Sequence, residues 1–531
     1  MKNNLIKILL ILILILSAVV RIYRLDSVPP SISWDEAAVG YNAWTISEYG
    51  KDEYGKSFPL TFKSFGDDKH SVHIYLTAIS VKLFGLSEFT TRLPAALFGI
   101  FNIFLIFYLG KLLFRNEWIG IMAAVFLAIS PYHIQFSRFN HELNFALFFF
   151  LLGLITFIRG LEGRKWLLTA SFISFGLDLL SYHSAKVVVI PFILILILMY
   201  FQNLWKMRIY FFLGIVFLLF FLGLIFLNPT LLGIARAKQT ALPQSDINDT
   251  KLYKFFQNQY LGYSERLVQN YLSHFNPEYL FIKGGENTKF STHQVGEFYK
   301  IDALFLLVGF LALVLKKTRT SIILLSWALL APIPSSLTNE APHAGRALYM
   351  MGSWHLVSVY GFYIIFTKLK GRKFMHSLIA VTFFILFISF ITHLKYYFEK
   401  YPRENAIDWQ YGMKQVVEFI KTSPQYNYIY MTDSRFQPYI FFLYYLKTPL
   451  PEYLLRVVYN NSESKSYSMV SYFDKYFFGG WDTAESVPQK DVLYILTPYE
   501  YDGLKYKSKF DIRKKVQYPN GIDAFFIVSG N

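Results

Sequence analysis

The stretch ALFLLVGFLALVLKKTRTSIILLSWALLAPI, residues 303–333, decides the fold. Two apolar runs, 303–315 and 322–333, flank a short loop carrying Lys316, Lys317 and Arg319. Apolar runs joined by a basic loop read as two membrane spans with the loop on the cytoplasmic side. Each run falls short of the ~20 residues that cross a hydrocarbon core unaided, so its ends are expected to extend into flanking aromatic residues.

Outward from this pair the pattern repeats. Further apolar runs lie at 5–20, 93–110, 118–130, 143–158, 166–182, 187–201, 209–227, 347–366 and 375–391. The chain therefore reads as an α-helical polytopic protein of about 11–13 spans, with 72–84 as a further dipping or interfacial helix. Basic residues recur in alternate loops: Lys111 and Arg115; Arg159, Arg164 and Lys165; Lys206 and Arg208; Lys368, Lys370, Arg372 and Lys373. Their agreement predicts a plasma (inner) membrane protein whose other segments are extracytoplasmic. Those segments are 21–92, 131–142, the turn 182–186, 228–302, 334–346 and the tail from 392.

Composition supports this reading. Of 531 residues 54% are hydrophobic and 19% aromatic, above the ~45–50% apolar share of soluble domains. Much of the net charge of +16 sits in the short loops, so it reports topology and not nucleic-acid binding. With no cysteine, disulfides, thiolate metal sites and cysteine nucleophiles are excluded. Lys2 to Lys7 followed by apolar residues to Val20 resembles a signal peptide. No A-x-A site follows and Arg21 comes at once, which predicts an uncleaved first span. The linear division is then a membrane domain, 1–395, with external loops 21–92 and 228–302, and a small extracytoplasmic α/β domain, 396–531. In the latter, apolar strands near 428–431, 493–496 and 525–528 alternate with a helical stretch at 413–420.

Acids, a lysine and imidazoles gather in the external segments. Ser33-Trp34-Asp35-Glu36 follows two prolines and opens a helix over 37–49. Its S-x-x-E pattern is a capping box, which gives Glu36 a structural role to set beside a catalytic one. Asp35 falls in the first turn, where the helix dipole favours the ionised carboxylate. Consecutive helical side chains diverge by roughly 100°, so one of the two acids can aim at a reacting atom, and Asp35 is preferred. Gly66-Asp67-Asp68-Lys69-His70 reads either as a solvated turn or as a polar cluster at headgroup depth, with Lys69 placed for a lipid phosphate.

These residues carry a resemblance. Trp34-Asp35-Glu36-Ala37 with Gly40-Tyr41-Asn42, Asp52-Glu53-x-Gly55, and Ser64-Phe65-Gly66-Asp67-x-Lys69 resemble the bacterial protein O-mannosyltransferase and aminoarabinose-transferase families, membrane glycosyltransferases of the GT-C fold. Arg92-Leu93-Pro94, Ser130-Pro131, Gln135-Phe136-Ser137-Arg138, Leu272-Ser273-His274-Phe275, Leu337-Thr338, Pro342-His343 and Arg346 add to it. The likeness spans about 1–395, strongest in the first loop. Where the family continues with prolines after the lysine, this chain has His70 and Ser71.

The resemblance implies a sugar donor on a polyprenyl phosphate and an acceptor hydroxyl on a glycan, lipid or protein. It makes Asp35 the catalytic base and matches Asp68 with Lys69 to an acid–lysine pair on the lipid phosphate; Glu36, Asp68 and Glu142 are further catalytic candidates. It assigns Lys69, Arg138, His274, His343 and Arg346 to substrate binding. No cofactor is required by the sequence; a divalent ion on Asp68, His274 and another histidine is the one metal site it suggests. Arg346 lies externally just before a span, against the charge rule, which fits a phosphate ligand or headgroup snorkelling. Asp178 sits within a span near its outer end, a functional candidate by default, paired with His183 or Lys186. The aromatic segment 253–263 fits an interfacial belt. A transporter or flippase of envelope glycolipids is the alternative; spans nearly free of ionisable residues, and no inverted pair of broken spans, speak against it.

Overall fold

The structure, a computed structural model, describes residues 2–65, 68–368, 372–460, 468–480 and 488–531. Each apolar run read from the sequence is a helix. Among the described residues six are long and apolar enough to cross a membrane: Asn4–Ile22, Glu88–Phe114, Leu143–Leu161, His183–Lys206, Arg208–Leu227 and Met375–Glu404. The shorter ones are Glu117–Ile129, Trp166–Leu179, Asp302–Lys316 and Arg319–Leu330, and Met350–Lys368 is kinked at Met351 and Gly352. The extension into flanking aromatics expected for 303–333 does not occur. Lys317 takes a left-handed conformation at one end, and Pro332, which cannot donate to a helix ladder, follows the other. The protein is a multi-pass membrane protein with a C-terminal sheet domain.

By contacts the chain divides otherwise than at residue 395. One unit holds Met1–Tyr23 and Ala95–Tyr396; the other holds Arg24–Pro94 and Tyr397–Asn531. The reason is a shared core: Val39, Tyr41, Phe62 and Ile74 of the first loop bury together with Ile429, Tyr439, Phe441 and Leu493 of the tail.

In the second unit a mixed sheet has the order β4-β5-β6-β3-β7-β9-β8. Its strands are β3 (Tyr428–Met431), β4 (Val458–Tyr459), β5 (Val470–Phe473), β6 (Tyr476–Phe478), β7 (Val492–Leu496), β8 (Phe510–Gln517) and β9 (Asp523–Gly530). Central β3 runs parallel to both neighbours, and β7 is buried throughout, as a strand covered on both faces requires. The predicted helix forms as Met413–Lys421. A two-residue ribbon, β1 (Thr61–Phe62) with antiparallel β2 (Lys69–His70), closes the first loop, and the expected interfacial helix is Ser71–Phe84.

In the first unit, helices Asp302–Lys316 and Met350–Lys368 approach through glycine. A Cβ on Gly309 would lie 2.0 Å from the Val357 carbonyl oxygen. Small residues permit such backbone contact between helices in lipid.

Candidate functional site

Helix Trp34–Tyr49 sets the first group. Ser33 caps it: the Glu36 N–H donates to Ser33 Oγ (3.3 Å) and the Ser33 N–H to Glu36 Oε2 (3.1 Å). Glu36 also accepts from Arg92, Nε to Oε1 at 2.8 Å and Nη2 to Oε2 at 3.1 Å, both side chains fully buried. The remaining Arg92 donors bind the Leu25, Pro29 and Ser31 carbonyls. Both Glu36 oxygens are thus committed and out of reach of solvent, which corrects the catalytic role expected of it. Its neighbour differs. Asp35 is 40% exposed and lies 2.5 Å from Lys69 Nζ, itself 15% exposed. Antiparallel pairing of Phe62 with Lys69 fixes the lysine, and its ammonium sits 5.7 Å from the Phe65 ring centre. Asp68 is half-buried beside it; Gly66 and Asp67 lie outside the described residues.

In the same unit Glu53 is sealed, accepting from Tyr439 Oη (3.0 Å) and Asn42 Nδ2 (2.8 Å). Burial pushes its carboxyl up to about 7, against the opposing pull of those two bonds.

The second group belongs to the other unit. Glu142 precedes helix Leu143–Leu161 and lies 2.9 Å from His141 Nδ1. Phe290 packs on His141 and on His343, ring centres 5.6 and 4.8 Å apart. The His343 ring accepts the Arg346 N–H at Nδ1 (3.2 Å). Burial and the nearby Arg346, Arg236 and His141 hold its imidazole well below the usual value, hence neutral. Arg346 donates to Thr338 Oγ1 (2.8 Å) and Glu340 Oε2 (2.9 Å), and burial lowers its pKa. Sequence reasoning missed Arg236, whose field reaches both Arg346 and Tyr182. The available signal was the one that marked Arg346, an arginine in a segment predicted external.

Two of the expected substrate ligands bond to backbone carbonyls. Arg138 is fully buried and donates to the carbonyls of Val20 (2.6 Å) and Tyr23 (2.7 Å), closing the C-terminal end of the first helix. His274 is fully buried with Nδ1 2.8 Å from the Asn270 carbonyl oxygen, and burial lowers it to about 4. Asp178 pairs with Tyr349, whose hydroxyl donates at 2.7 Å. Among the described residues no three His, Asp or Glu converge as metal ligands.

Residues 68–226 match the family model described as dolichyl-phosphate-mannose-protein mannosyltransferase. The mannosyltransferase-like protein YycA of Bacillus subtilis is 30% identical over 105 residues, 19% of this chain and 15% of that one. The match therefore spans a small part of that relative. Among solved structures, apo ArnT from Cupriavidus metallidurans aligns with a TM-score of 0.58 at 12% identity, covering 98% of this chain and 97% of that one. Its complex with undecaprenyl phosphate aligns at 0.57, with 13% identity and the same coverage. AglB from Archaeoglobus fulgidus, in complex with an inhibitory peptide and a dolichol-phosphate, aligns at 0.51 with 14% identity, covering 84% and 64%.

Proposed function

We propose that this GT-C glycosyltransferase-like protein transfers a sugar from a polyprenyl-phosphate donor to an acceptor hydroxyl on the extracytoplasmic face, with Asp35 as base. The observation that carries the reading is the open Asp35–Lys69 pair beside the sealed Glu36–Arg92 pair. A half-exposed carboxylate on a rigid helix turn can reach a hydroxyl proton; a buried, doubly bonded one cannot.

The acceptor oxygen attacks the anomeric carbon, and its proton passes to an Asp35 oxygen. The bond from that carbon to the phosphate oxygen breaks with its electron pair, and polyprenyl phosphate leaves. Attack opposite the leaving group inverts the anomeric centre. Lys69 holds Asp35 in place at rest and offers its charge to the departing phosphate, a fixed cation where negative charge builds. Asp68, in the same unit as the Asp35–Lys69 pair, is the acid available to offset positive charge on the sugar ring, as in glycoside cleavage. Arg346 and the neutral His343 form an anion-binding pair in theirs. Undecaprenyl phosphate in the ArnT structure and dolichol-phosphate in that of AglB support a prenyl-phosphate carrier here.

Membranes containing the protein, incubated with a panel of polyprenyl-phosphate pentoses and hexoses, test the reading. The expected result is one donor consumed, polyprenyl phosphate released, and an acceptor heavier by one sugar. No consumption of any donor contradicts it.

A further inference from the structure

At the ends of the apolar helices that carry the positive loops lies a cavity of about 600 Å³, within the first unit. Pockets of ~300–1,000 Å³ are large enough to enclose a small ligand. Its polar wall holds Arg115, Lys316 and Arg319, with Tyr200 and Tyr360 between them. Its apolar wall is made by Leu113, Ile158, Leu313 and Ile323.

The charges here are arranged unlike those around them. Lys111 is paired with Glu117 at 2.6 Å and Arg159 with Glu162 at 2.9 Å, so Glu162, the acid on the wall, is already neutralised. Arg115, Lys316 and Arg319 have no carboxylate within ion-pair distance among the described residues. Arg319 is seated on a ring instead, its guanidinium 5.0 Å from the Tyr200 ring centre, and Lys316 Nζ donates to the neutral Tyr360 hydroxyl at 3.3 Å. Stacking a cation on an aromatic face orients it without cancelling its charge. The N-terminus of helix Arg319–Leu330 opens beside them, with Thr318 as its cap, adding backbone donors to the cationic wall.

We propose that this cavity binds the phosphate headgroup of an anionic phospholipid, its acyl chains lying along the apolar wall. Basic pockets between membrane helices on the positive-loop side suit such headgroups. Charge complementarity and the apolar wall together select the lipid over a free anion. The site is independent of the Asp35–Lys69 pair and of any sugar transfer.

The test is a titration of the purified full-length protein in neutral detergent with dioleoylphosphatidylglycerol, read as lipid adducts by native mass spectrometry. Dioleoylphosphatidylcholine serves as the uncharged comparison. A saturable phosphatidylglycerol adduct is expected, with phosphatidylcholine binding at least tenfold weaker and excess inorganic phosphate failing to displace the lipid. Lys316→Ala with Arg319→Ala should weaken the adduct by roughly thirtyfold. Lys111→Ala, which removes a neutralised cation, should leave it unchanged, as should the charge-preserving Lys316→Arg. Melting curves in neutral detergent check that each variant is folded. Equal binding of both lipids, displacement by phosphate, or full binding by a folded double variant overturns the proposal. Should the double variant unfold, Arg115→Ala takes its place, with a roughly fivefold loss expected and no loss contradicting.

Discussion

Asp35 and Glu36 are adjacent acids with opposite fates, and the difference is one of partners. The capping role of Glu36 was legible, because Ser33 and Glu36 are three residues apart and their reciprocal bonds are local. Its bond to Arg92, 56 positions away, was not, since nothing in the chain marks which arginine will enter a core. The same limit hid the roles of Arg138 and His274. Both bind backbone carbonyls, which every residue has and no motif announces. Glu36→Ala should therefore act on stability. It leaves Arg92 buried without its counter-charge, at a cost of about 3–5 kcal/mol. A thermal melt in detergent should show a large loss for Glu36→Ala and little change for Asp35→Asn; equal losses would mean that Asp35 is held as tightly as its neighbour.

Among the elements, the apolar runs were readable because lipid requires each backbone bond to be satisfied within the segment. Their ends were less so, being set by single residues such as Pro332 and the left-handed Lys317. Helix contacts were not readable at all, for they depend on which glycines meet. Gly361 is one: a Cβ there would sit 1.9 Å from the Phe305 carbonyl oxygen. Gly309→Leu or Gly361→Leu must drive helices Asp302–Lys316 and Met350–Lys368 apart, costing more than the ~1–3 kcal/mol of ordinary overpacking. Gly223→Leu, where nothing lies within 4 Å of an added Cβ, should be tolerated. Yields of folded protein after detergent extraction would distinguish them. At the other end of the scale, Ser33→Ala removes one cap bond and should cost about 1 kcal/mol.

For the whole molecule, the fold class was legible while the partition was not. The tail's strands and helix appear where their patterning put them, but patterning does not say that 24–94 buries its apolar face in a core shared with 397–531. Glu53, inside that core, couples stability to pH. Its folded value of about 7 stands above the ordinary 4.5, so between these values the native state holds the extra proton. Stability should fall as pH rises through this window and level off above it, by about 3 kcal/mol in all. Glu297, buried in the first unit and also raised to about 7, adds a second contribution of the same sign. Melting temperatures from pH 5 to 8 should decline less steeply for Glu53→Gln than for the wild-type chain; an unchanged slope would remove Glu53 from the account. Reporter fusions address orientation: one after Lys317 should report cytoplasm and one at the C-terminus the outside, and the reverse pattern would place the Asp35–Lys69 pair on the wrong face for a prenyl-linked donor. The most direct measurement is sugar transfer from a polyprenyl-phosphate donor by wild-type and Asp35→Asn protein of equal thermal stability. A loss of roughly 10²–10⁴-fold in turnover, the contribution of a positioned general base, is the predicted result; wild-type turnover in the asparagine variant would contradict the mechanism.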